Sequence, residues 1–203
     1  MRVTLIDYGA GNTTSVERAL RRLGAESVRG GTAADVARAE ALVLPGVGHY
    51  AALARALERD GLREAVREAM ERGVPFLGIC LGLQALYNGS DEAPELAGLD
   101  VLPGRVEALP ASVKLPHMGW NQLNVKRESR LLEGIGARDY FYFAHSYAAR
   151  SADGDPVAVA TCTHGAEFVA TVEQRNVCAV QFHPEKSGAA GSRVLRNFLR
   201  LGA

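Results

Sequence analysis

The chain has little cysteine, little tryptophan and no excess charge of either sign, and each shortage excludes a class of protein. Its 203 residues include three cysteines and one tryptophan, and 23 basic residues balance 23 acidic ones. Cys80, Cys162 and Cys178 are too few and too widely spaced for a disulfide framework or a zinc site, which indicates a reducing compartment. A net charge of zero argues against a nucleic-acid partner, because such partners usually require a basic face.

Long apolar runs are also missing. No window reaches the roughly 18 to 20 uninterrupted apolar residues that a membrane span needs. The apolar segment in MRVTLIDYGAGN is too short for a signal peptide, and no cleavage pattern follows it. We therefore expect a cytoplasmic protein with no membrane partner. The length favours a single domain over residues 1–203.

Apolar runs and amphipathic segments alternate in the first half of the chain. The runs VTLID, SVRG, ALVLPG and VPFLGI are separated by expected helices over roughly residues 12–23, 32–40, 49–58 and 60–72, and Thr32 or Asp35 can cap the second of these helices. Continuous apolar strands between helices predict a parallel sheet that is covered on both faces.

The second half contains mostly β-type runs, followed by a helix over roughly residues 188–201. The runs are RVEAL, WNQLNV, YFYFAHSY, VAVATCT, EFVATVEQ and VCAVQF. We interpret them as an antiparallel extension of the same sheet. The predicted fold class is α/β, with a mostly parallel central sheet flanked by helices.

The segment FLGICLGLQAL, residues 76–86, places Cys80 between Gly78 and Gly82 after an apolar strand. This pattern predicts a nucleophile elbow, with an exposed thiol near the start of a helix whose dipole favours thiolate. The alternative interpretation is a buried cysteine beside two glycines that allow close helix packing.

Two further strand ends carry related chemistry. In VCAVQFHPEKSG, His183 is a candidate base and Glu185 a candidate carboxylate to orient it, although an exposed turn is the alternative. In LVLPGVGHY, the backbone N–H groups around Gly46 and Gly48 suit an oxyanion site, although a plain strand-to-helix turn is the alternative. A phosphate-binding loop is less favoured, since the lysine and Ser/Thr of a P-loop are missing. Ligands bind at the carboxyl ends of parallel strands, so the three segments together indicate one site.

In this order, PGxG, GxCxGxQ and HPE resemble the motifs of the class I (triad) glutamine amidotransferases, whose fold is flavodoxin-like. The resemblance implies Cys80 as nucleophile, His183 as general base and then acid, and Glu185 as the carboxylate that orients it. It implies no cofactor, no metal, and L-glutamine as substrate. It also assigns the oxyanion site to Val47, Gly48 and Leu81, and glutamine binding to Gly46, Gln84, Ser146 and Tyr147.

Longer motifs resemble the glutaminase subunits of imidazole glycerol phosphate synthases, over essentially the whole chain. They are DYGAGN, PGVGHY, LPHMGWN, FAHSY and FHPEKS. This resemblance implies histidine biosynthesis and a heterodimer in which ammonia passes to a (βα)8-barrel cyclase subunit. It implies that partner-facing positions are Asn12, Trp120, Tyr142 and Lys186, although a lone tryptophan after glycine is also typical of a core. It further suggests latency, in which the Val47 peptide turns its N–H inward when the partner binds.

Three rival functions stay open at this point: a class I glutaminase of a different synthase, an α/β cysteine hydrolase, and a non-catalytic scaffold. The resemblance lines the glutamine pocket with the segment His145-Ser146-Tyr147, although His145 itself can be a structural histidine. His49, His117 and His164 have no metal-site spacing. We expect Cys162 and Cys178 to pack inside.

Overall fold

The computed structural model describes residues 1–9, 12–150 and 157–202. The first half alternates strands and helices: β1 (Arg2–Ile6), α1 (Thr13–Arg22), β2 (Glu26–Gly30), α2 (Ala33–Ala37), β3 (Ala41–Gly46), α3 (Tyr50–Leu57), α4 (Leu62–Glu71), β4 (Phe76–Cys80) and α5 (Leu81–Gln84). The second half continues with β5 (Gly89–Ser90), β6 (Ala93–Ala97), β7 (Val106–Ala108), β8 (His117–Gln122), β9 (Asn124–Val125), β10 (Tyr140–His145), β11 (Tyr147–Ala149), β12 (Ala158–His164), β13 (Ala166–Gln174), β14 (Val177–Val180), a 3₁₀ turn (Pro184–Lys186) and α6 (Gly188–Leu201).

An eight-stranded sheet in the order β2-β1-β3-β4-β14-β13-β12-β9 forms the centre of the fold. Neighbours from β2 to β14 are parallel, and the remaining pairs are antiparallel. Every residue of β3 and β4 is buried, because both faces of the sheet are covered. Successive side chains of β3 point to opposite faces of the sheet: Leu42 and Leu44 pack into one core cluster, and Ala41 and Val43 pack into the other. The predicted α/β fold class is confirmed.

The expectation for the second half is correct for β9, β12 and β13 but wrong for the other runs. The VCAVQF run forms β14, which pairs parallel with β4. The two-residue turn at Arg175 and Asn176 explains this direction, because it reverses the chain after antiparallel β13; Arg175 adopts a left-handed φ of 55° there. As a result, β4 and β14 end at the same edge of the sheet.

Three runs leave the main sheet. β7, from RVEAL, joins a four-stranded sheet with β5, β6 and β11, and β10, from YFYFAHSY, pairs with β8 in a separate ribbon. WNQLNV is split after Gln122 between β8 and β9. Burial alternates along β10, which places Phe141 and Phe143 in the core and leaves the other face open. A half-buried strand of this kind suits a covering ribbon better than the middle of a two-faced sheet.

Several local features differ from the sequence expectations or complete them. β5 and β6 were not predicted, and α2 ends at Ala37 rather than at Glu40. Thr32 is the N-cap of α2, in a reciprocal capping box with Asp35. Residues 10 and 11 of the DYGAGN motif lie outside the described residues. Within the described ranges, no helix combines the length and apolarity needed to cross a bilayer.

Cys162 and Cys178 are buried and not disulfide-bonded, which confirms the expected interior packing. Burial raises the pKa of each thiol to about 12. These two cysteines therefore stay protonated at neutral pH and act as small apolar core residues.

Candidate active site

The nucleophile elbow lies at the end of β4. Cys80 has a left-handed φ of 55° with ψ of −104°, an uncommon conformation for a residue with a side chain. A Cβ atom on Gly82 would lie 1.9 Å from the Leu44 carbonyl oxygen, and one on Gly78 would lie 2.5 Å from the Gly82 carbonyl oxygen. Glycine is therefore required at both positions for the strand and the following turn to approach this closely, as the sequence predicted.

The surroundings of the Cys80 thiol differ from the sequence expectation in two respects. The residue is 4 % exposed rather than open to solvent, and it lines a cavity of 340 Å³. The helix that follows, α5, is one turn long, so few peptide dipoles are aligned behind the thiol. A polar neighbour takes their place: Gln181 Nε2 lies 3.5 Å from Cys80 Sγ.

His183 and Glu185 meet beside this cavity, immediately after β14. His183 Nδ1 lies 3.0 Å from Glu185 Oε1, and the two side chains are 2 % and 1 % exposed, so the alternative of an exposed turn is wrong. The His183 N–H donates to the Tyr142 carbonyl at 2.8 Å, which anchors the 3₁₀ turn to β10. Burial lowers the pKa of His183, but hydrogen bonds with Cys80 and Glu185 outweigh it and raise that pKa to about 9. The structure therefore brings Cys80, His183 and Glu185 together, with the histidine as imidazolium at neutral pH.

The glycine loop after β3 forms another side of the cavity. Val47, Gly48 and Leu81 line it, and Gly46 packs beneath, where a Cβ atom would lie 2.5 Å from Leu81 Cβ. Gly48 has a φ of +92°, which favours glycine. The buried Tyr8 hydroxyl lies beside this loop, 3.2 Å from the position that a Cβ atom on Gly46 would take, and it has no hydrogen-bond partner among the described residues. Burial raises the pKa of Tyr8 to about 12, so this phenol is neutral.

Gln84, Ser146 and Tyr147 line the cavity together, as predicted. Gln84 Nε2 donates to the Tyr147 carbonyl at 2.8 Å and to Gln181 Oε1 at 3.2 Å. Gln84 Oε1 is buried and has no hydrogen-bond partner among the described residues. A buried acceptor without a partner is uncommon, and here it belongs to a side chain that lines the cavity.

The cavity has lining residues that the sequence interpretation missed, notably Glu92 and Pro116, whereas His145 lines it beside Ser146 as the resemblance implied. Glu92 accepts from the Tyr50 N–H at 2.8 Å and so fixes the start of α3. Gln181 was also missed, although it precedes His183 by two positions, a spacing that puts strand residues on one face. Glu92 and Pro116 had no comparable signal, since they lie in segments away from the three strand ends that the sequence singled out.

A cluster of exposed rings lies on the β8–β10 ribbon near the cavity. Trp120 is 56 % exposed, so its interpretation as a core residue is wrong, and its ring lies 5.9 Å from that of Tyr142. Lys186 Nζ lies 5.6 Å from the Tyr142 ring centre, and Lys186 also lines the cavity. Met118 and Tyr140, at 64 % and 50 % exposure, enlarge this surface and were missed. The period-two spacing of Met118 and Trp120 is the signal that identifies this outward face.

Asn12, the remaining predicted interface residue, is the N-cap of α1, and its side chain forms no capping hydrogen bond. Helix α1 lies beside the 3₁₀ turn that holds Glu185. Asn12 is thus on the same side of the fold as the triad, and its contact with a partner stays a prediction.

Larger hollows lie elsewhere on the surface. One of 770 Å³ is lined by Arg127, Arg130 and Glu173 among others. Three of its charged side chains are bonded inside the protein: Arg130 Nε lies 2.7 Å from Glu173 Oε1, and Arg127 donates to backbone carbonyls. Across the part of the chain that the structure describes, no group of three His, Cys, Asp or Glu side chains converges on a possible metal position.

A cysteine on a strand-to-helix elbow, a buried histidine–carboxylate pair and a glycine loop at one sheet edge together define a cysteine-dependent acyl-transfer site. The model of the family "Glutamine amidotransferase class-I" matches residues 4–201. The chain belongs to this family. The resemblance to it inferred from the motifs is confirmed.

The chain is also similar to particular curated proteins and to solved structures. The chain is 48 % identical over 199 residues to "Imidazole glycerol phosphate synthase subunit HisH" of Methanothermobacter thermautotrophicus, covering 98 % of both chains. It is 46 % identical to "Imidazole glycerol phosphate synthase hisHF, chloroplastic" of Arabidopsis thaliana. That alignment includes 97 % of this chain but only 34 % of the longer Arabidopsis protein. Among solved structures, one described as "Crystal structure of glutamine amidotransferase" aligns with a TM-score of 0.78 at 26 % identity, over 98 % of each chain.

Proposed function

We propose that the chain is the glutaminase subunit of an imidazole glycerol phosphate synthase, and that it hydrolyses L-glutamine to glutamate and ammonia in histidine biosynthesis. The observation that carries the proposal is the convergence of Cys80 with the buried His183–Glu185 pair at one wall of a cavity. Relatives that match nearly the full length and bear this subunit's name support the assignment. A functional unit over residues 1–203 and a cytoplasmic location are part of the same proposal.

The cavity provides groups for each end of glutamine. Its volume of 340 Å³ is within the range of about 300–1,000 Å³ typical of small-molecule sites. We assign the γ-carboxamide to the Cys80 end, and the amino-acid end to Gln84, Ser146 and Tyr147. The unpartnered Gln84 Oε1 is an acceptor suited to the substrate ammonium group.

The first half of the reaction forms a thioester and releases ammonia. Cys80 Sγ, as thiolate, attacks the γ-carbonyl carbon, and the carbonyl electrons move to the oxygen to give a tetrahedral oxyanion. When the oxyanion collapses, the C–N bond breaks, and the departing nitrogen takes a proton from the His183 imidazolium to leave as ammonia. The raised pKa of His183 suits this step, because the ring holds its proton at neutral pH.

The second half releases glutamate. A water molecule attacks the thioester carbon and gives a proton to His183, which now acts as general base. The C–S bond then breaks, and the thiolate and imidazolium are restored. Glu185 holds the Nδ1 side of the ring throughout, so that Nε2 performs both transfers.

We assign oxyanion stabilisation to the backbone N–H groups of Val47, Gly48 and Leu81. In the free chain, we propose, the Val47 N–H points away from the oxyanion. Turning this peptide inward adds a donor, and losing one such donor typically costs about 100-fold or more in rate. Gly46 and Gly48 flank the peptide and allow the rotation. This turn is the proposed basis of latency in the absence of the partner.

The exposed cluster of Trp120, Tyr142 and Lys186, with Asn12 nearby, is the proposed docking face for a (βα)8-barrel cyclase subunit. A large aromatic side chain that is exposed in the free chain is a typical anchor of an interface. Because Lys186 also lines the cavity, a partner on this face adjoins the site where ammonia is released, which suits ammonia transfer between subunits. The Arabidopsis relative spans about three times the matched length, as a fusion of this unit with a second one would.

Trapping the covalent intermediate tests the proposed chemistry. Wild-type protein mixed with glutamine and quenched in acid is expected to carry a glutamyl group on Cys80, detected by peptide mass spectrometry. Cys80→Ala provides the control for labelling at other residues. A glutamyl group on Cys162 or Cys178, or none on any cysteine while glutamate is produced, contradicts the mechanism.

A further inference from the structure

A run of hydrogen bonds leads from strand β8 to the glutamine cavity through two buried histidines. His145 Nδ1 lies 2.9 Å from the Tyr147 carbonyl oxygen, and His145 Nε2 lies 3.2 Å from His117 Nδ1. His117 Nε2 in turn lies 3.4 Å from Asn121 Nδ2. We call the side chains of Asn121, His117 and His145, with the Tyr147 carbonyl, the histidine chain. The reaction described above uses neither histidine.

The geometry permits a single arrangement of hydrogens in the histidine chain. The Tyr147 carbonyl can only accept, so His145 Nδ1 must donate. In a neutral ring His145 Nε2 is then the acceptor, and the donor facing it is His117 Nδ1. His117 Nε2 must accept in its turn, from the amide of Asn121. Both rings are therefore Nδ1–H tautomers.

The orientation of the Asn121 amide is set independently. Its Oδ1 accepts from the Gln122 N–H at 2.8 Å, and its Nδ2 also donates to the Thr163 carbonyl at 3.1 Å. The amide nitrogen, and not the oxygen, thus faces His117. Every bond in the histidine chain points towards the cavity.

The surroundings keep both rings neutral. His117 and His145 are 5 % and 6 % exposed. Burial lowers the pKa of His117 to about 4 and that of His145 to about 3. The titratable groups that face them are other histidines: His164, which stacks on His117 at 4.3 Å, and His183 of the triad. An additional proton on either ring would place two N–H groups against each other.

The histidine chain ends on a carbonyl that belongs to the proposed glutamine site. The Tyr147 carbonyl accepts from His145 on one side and from Gln84 on the other, which uses both of its lone pairs. Gln84 continues to Gln181, and Gln181 reaches Cys80 Sγ. The neighbouring Ser146 carbonyl is held by the Leu109 N–H at 2.9 Å. The backbone that lines the cavity is thus fixed from behind.

We propose that His145 and His117 are positioning residues of the glutaminase site, which hold the Ser146–Tyr147 wall for glutamine through a one-way chain of neutral Nδ1–H imidazoles. The inference rests on the proposed function, because it assigns that wall to glutamine. Neither ring touches the reacting atoms, so the expected effect is on substrate binding rather than on bond breaking.

Nitrogen-15 NMR of the wild-type protein labelled at histidine tests the hydrogen arrangement directly. His145 and His117 are both expected to show a protonated Nδ1 and an unprotonated Nε2, unchanged between pH 8 and pH 5.5. His145→Asn and His117→Asn assign the two signals. An Nε2–H tautomer or an imidazolium at either position within this range overturns the proposal. This result does not depend on any activity.

Kinetics of glutamine hydrolysis, measured with a cyclase subunit and its ribonucleotide ligand present, test the role. His145→Leu removes the donor to Tyr147 and is expected to raise KM for glutamine roughly three- to tenfold, the usual worth of one hydrogen bond, with kcat changed less than twofold. His145→Asn places an amide N–H where Nδ1 was, and is expected to restore KM to within twofold of the wild-type value. His164→Gln, in the same cluster but outside the histidine chain, is the control and should leave both constants unchanged.

The outcomes separate this inference from the proposed function. Absence of wild-type hydrolysis defeats the proposed function and leaves the NMR result standing on its own. Active wild-type protein with an unchanged KM in folded His145→Leu, or a loss in His145→Asn as large as in His145→Leu, overturns the positioning role. If His145→Leu does not fold, the comparison of His145→Asn with the wild type and the NMR tautomers still decide it.

Discussion

Adding one methyl group at Gly82 is expected to disable the site although no proposed functional side chain is replaced. In Gly82→Ala the new Cβ would lie 1.9 Å from the Leu44 carbonyl oxygen, whereas ordinary contact begins near 3.4 Å, so about 1.5 Å of movement is required. The atom it meets belongs to β3, which is held between β1 and β4 by backbone ladders. The elbow that carries Cys80 must therefore move instead.

This displacement sets the expected magnitudes. Overpacking against rigid backbone typically costs about 1–3 kcal/mol, and we expect the upper end of that range for the free energy of unfolding. A shift of about 1 Å between reacting groups can cost ~100-fold in rate, so kcat/KM should fall by at least that factor.

Urea unfolding and a glutamate-release assay measure the two effects. Gly136→Ala is the matched control, since its Cβ would meet nothing closer than 4.0 Å and its φ is not positive. Folded Gly82→Ala with kcat/KM within threefold of wild type would refute the close-packed elbow.

Three further perturbations have defined outcomes. The pKa of His183 is about 9 in the folded chain, above the value of about 6.5 expected when unfolded. The stability that this proton contributes is therefore complete below pH 6.5 and is lost as the pH rises through 9. Urea titrations should show that the free energy of unfolding falls more steeply over this pH window in the wild type than in His183→Gln. Parallel curves for the two proteins would contradict the assignment. Because its ring is exposed, Trp120→Ala should change the free energy of unfolding of the free chain by no more than about 0.5 kcal/mol. Calorimetry should show that the same variant binds the cyclase more weakly by about 2 kcal/mol. An unaltered affinity would show that Trp120 is not part of the interface. Thr32→Ala breaks the capping box of α2 and should cost about 1 kcal/mol in urea unfolding with unchanged kcat/KM, whereas lost activity would indicate coupling between α2 and the site.

The sequence was sufficient for the parallel half of the fold because its signals are local. Burial can be predicted from the residue pattern of a single element, as in the fully apolar strands β3 and β4 and the amphipathic helices α1 and α4. In the same way, the glycines beside Cys80 predict the close approach of the strand and the following turn. The convergence of Cys80, His183 and Glu185 could be predicted for the same reason, since each lies at or just after a recognisable strand end.

The features that the sequence did not predict depend on contacts between segments that are far apart in the chain. The direction of β14 is set by its hairpin with β13 and its place beside β4, which no local pattern encodes. The predicted exposure of Cys80 was wrong because covering segments from the second half of the chain close the cavity over it. Likewise, His117 and His145 are 28 residues apart, and only the pairing of β8 with β10 brings their rings together.

We propose that this chain is a glutaminase whose activity serves a cyclase partner. The most direct measurement is glutamine hydrolysis by the pure chain, alone and then with a (βα)8-barrel cyclase subunit of an imidazole glycerol phosphate synthase and its ribonucleotide ligand, with Cys80→Ala as control. We expect low activity alone, strong stimulation by the liganded partner, and none in the variant. Hydrolysis that is indifferent to this partner would place the same triad in a different synthase, and hydrolysis that persists in Cys80→Ala would contradict the account.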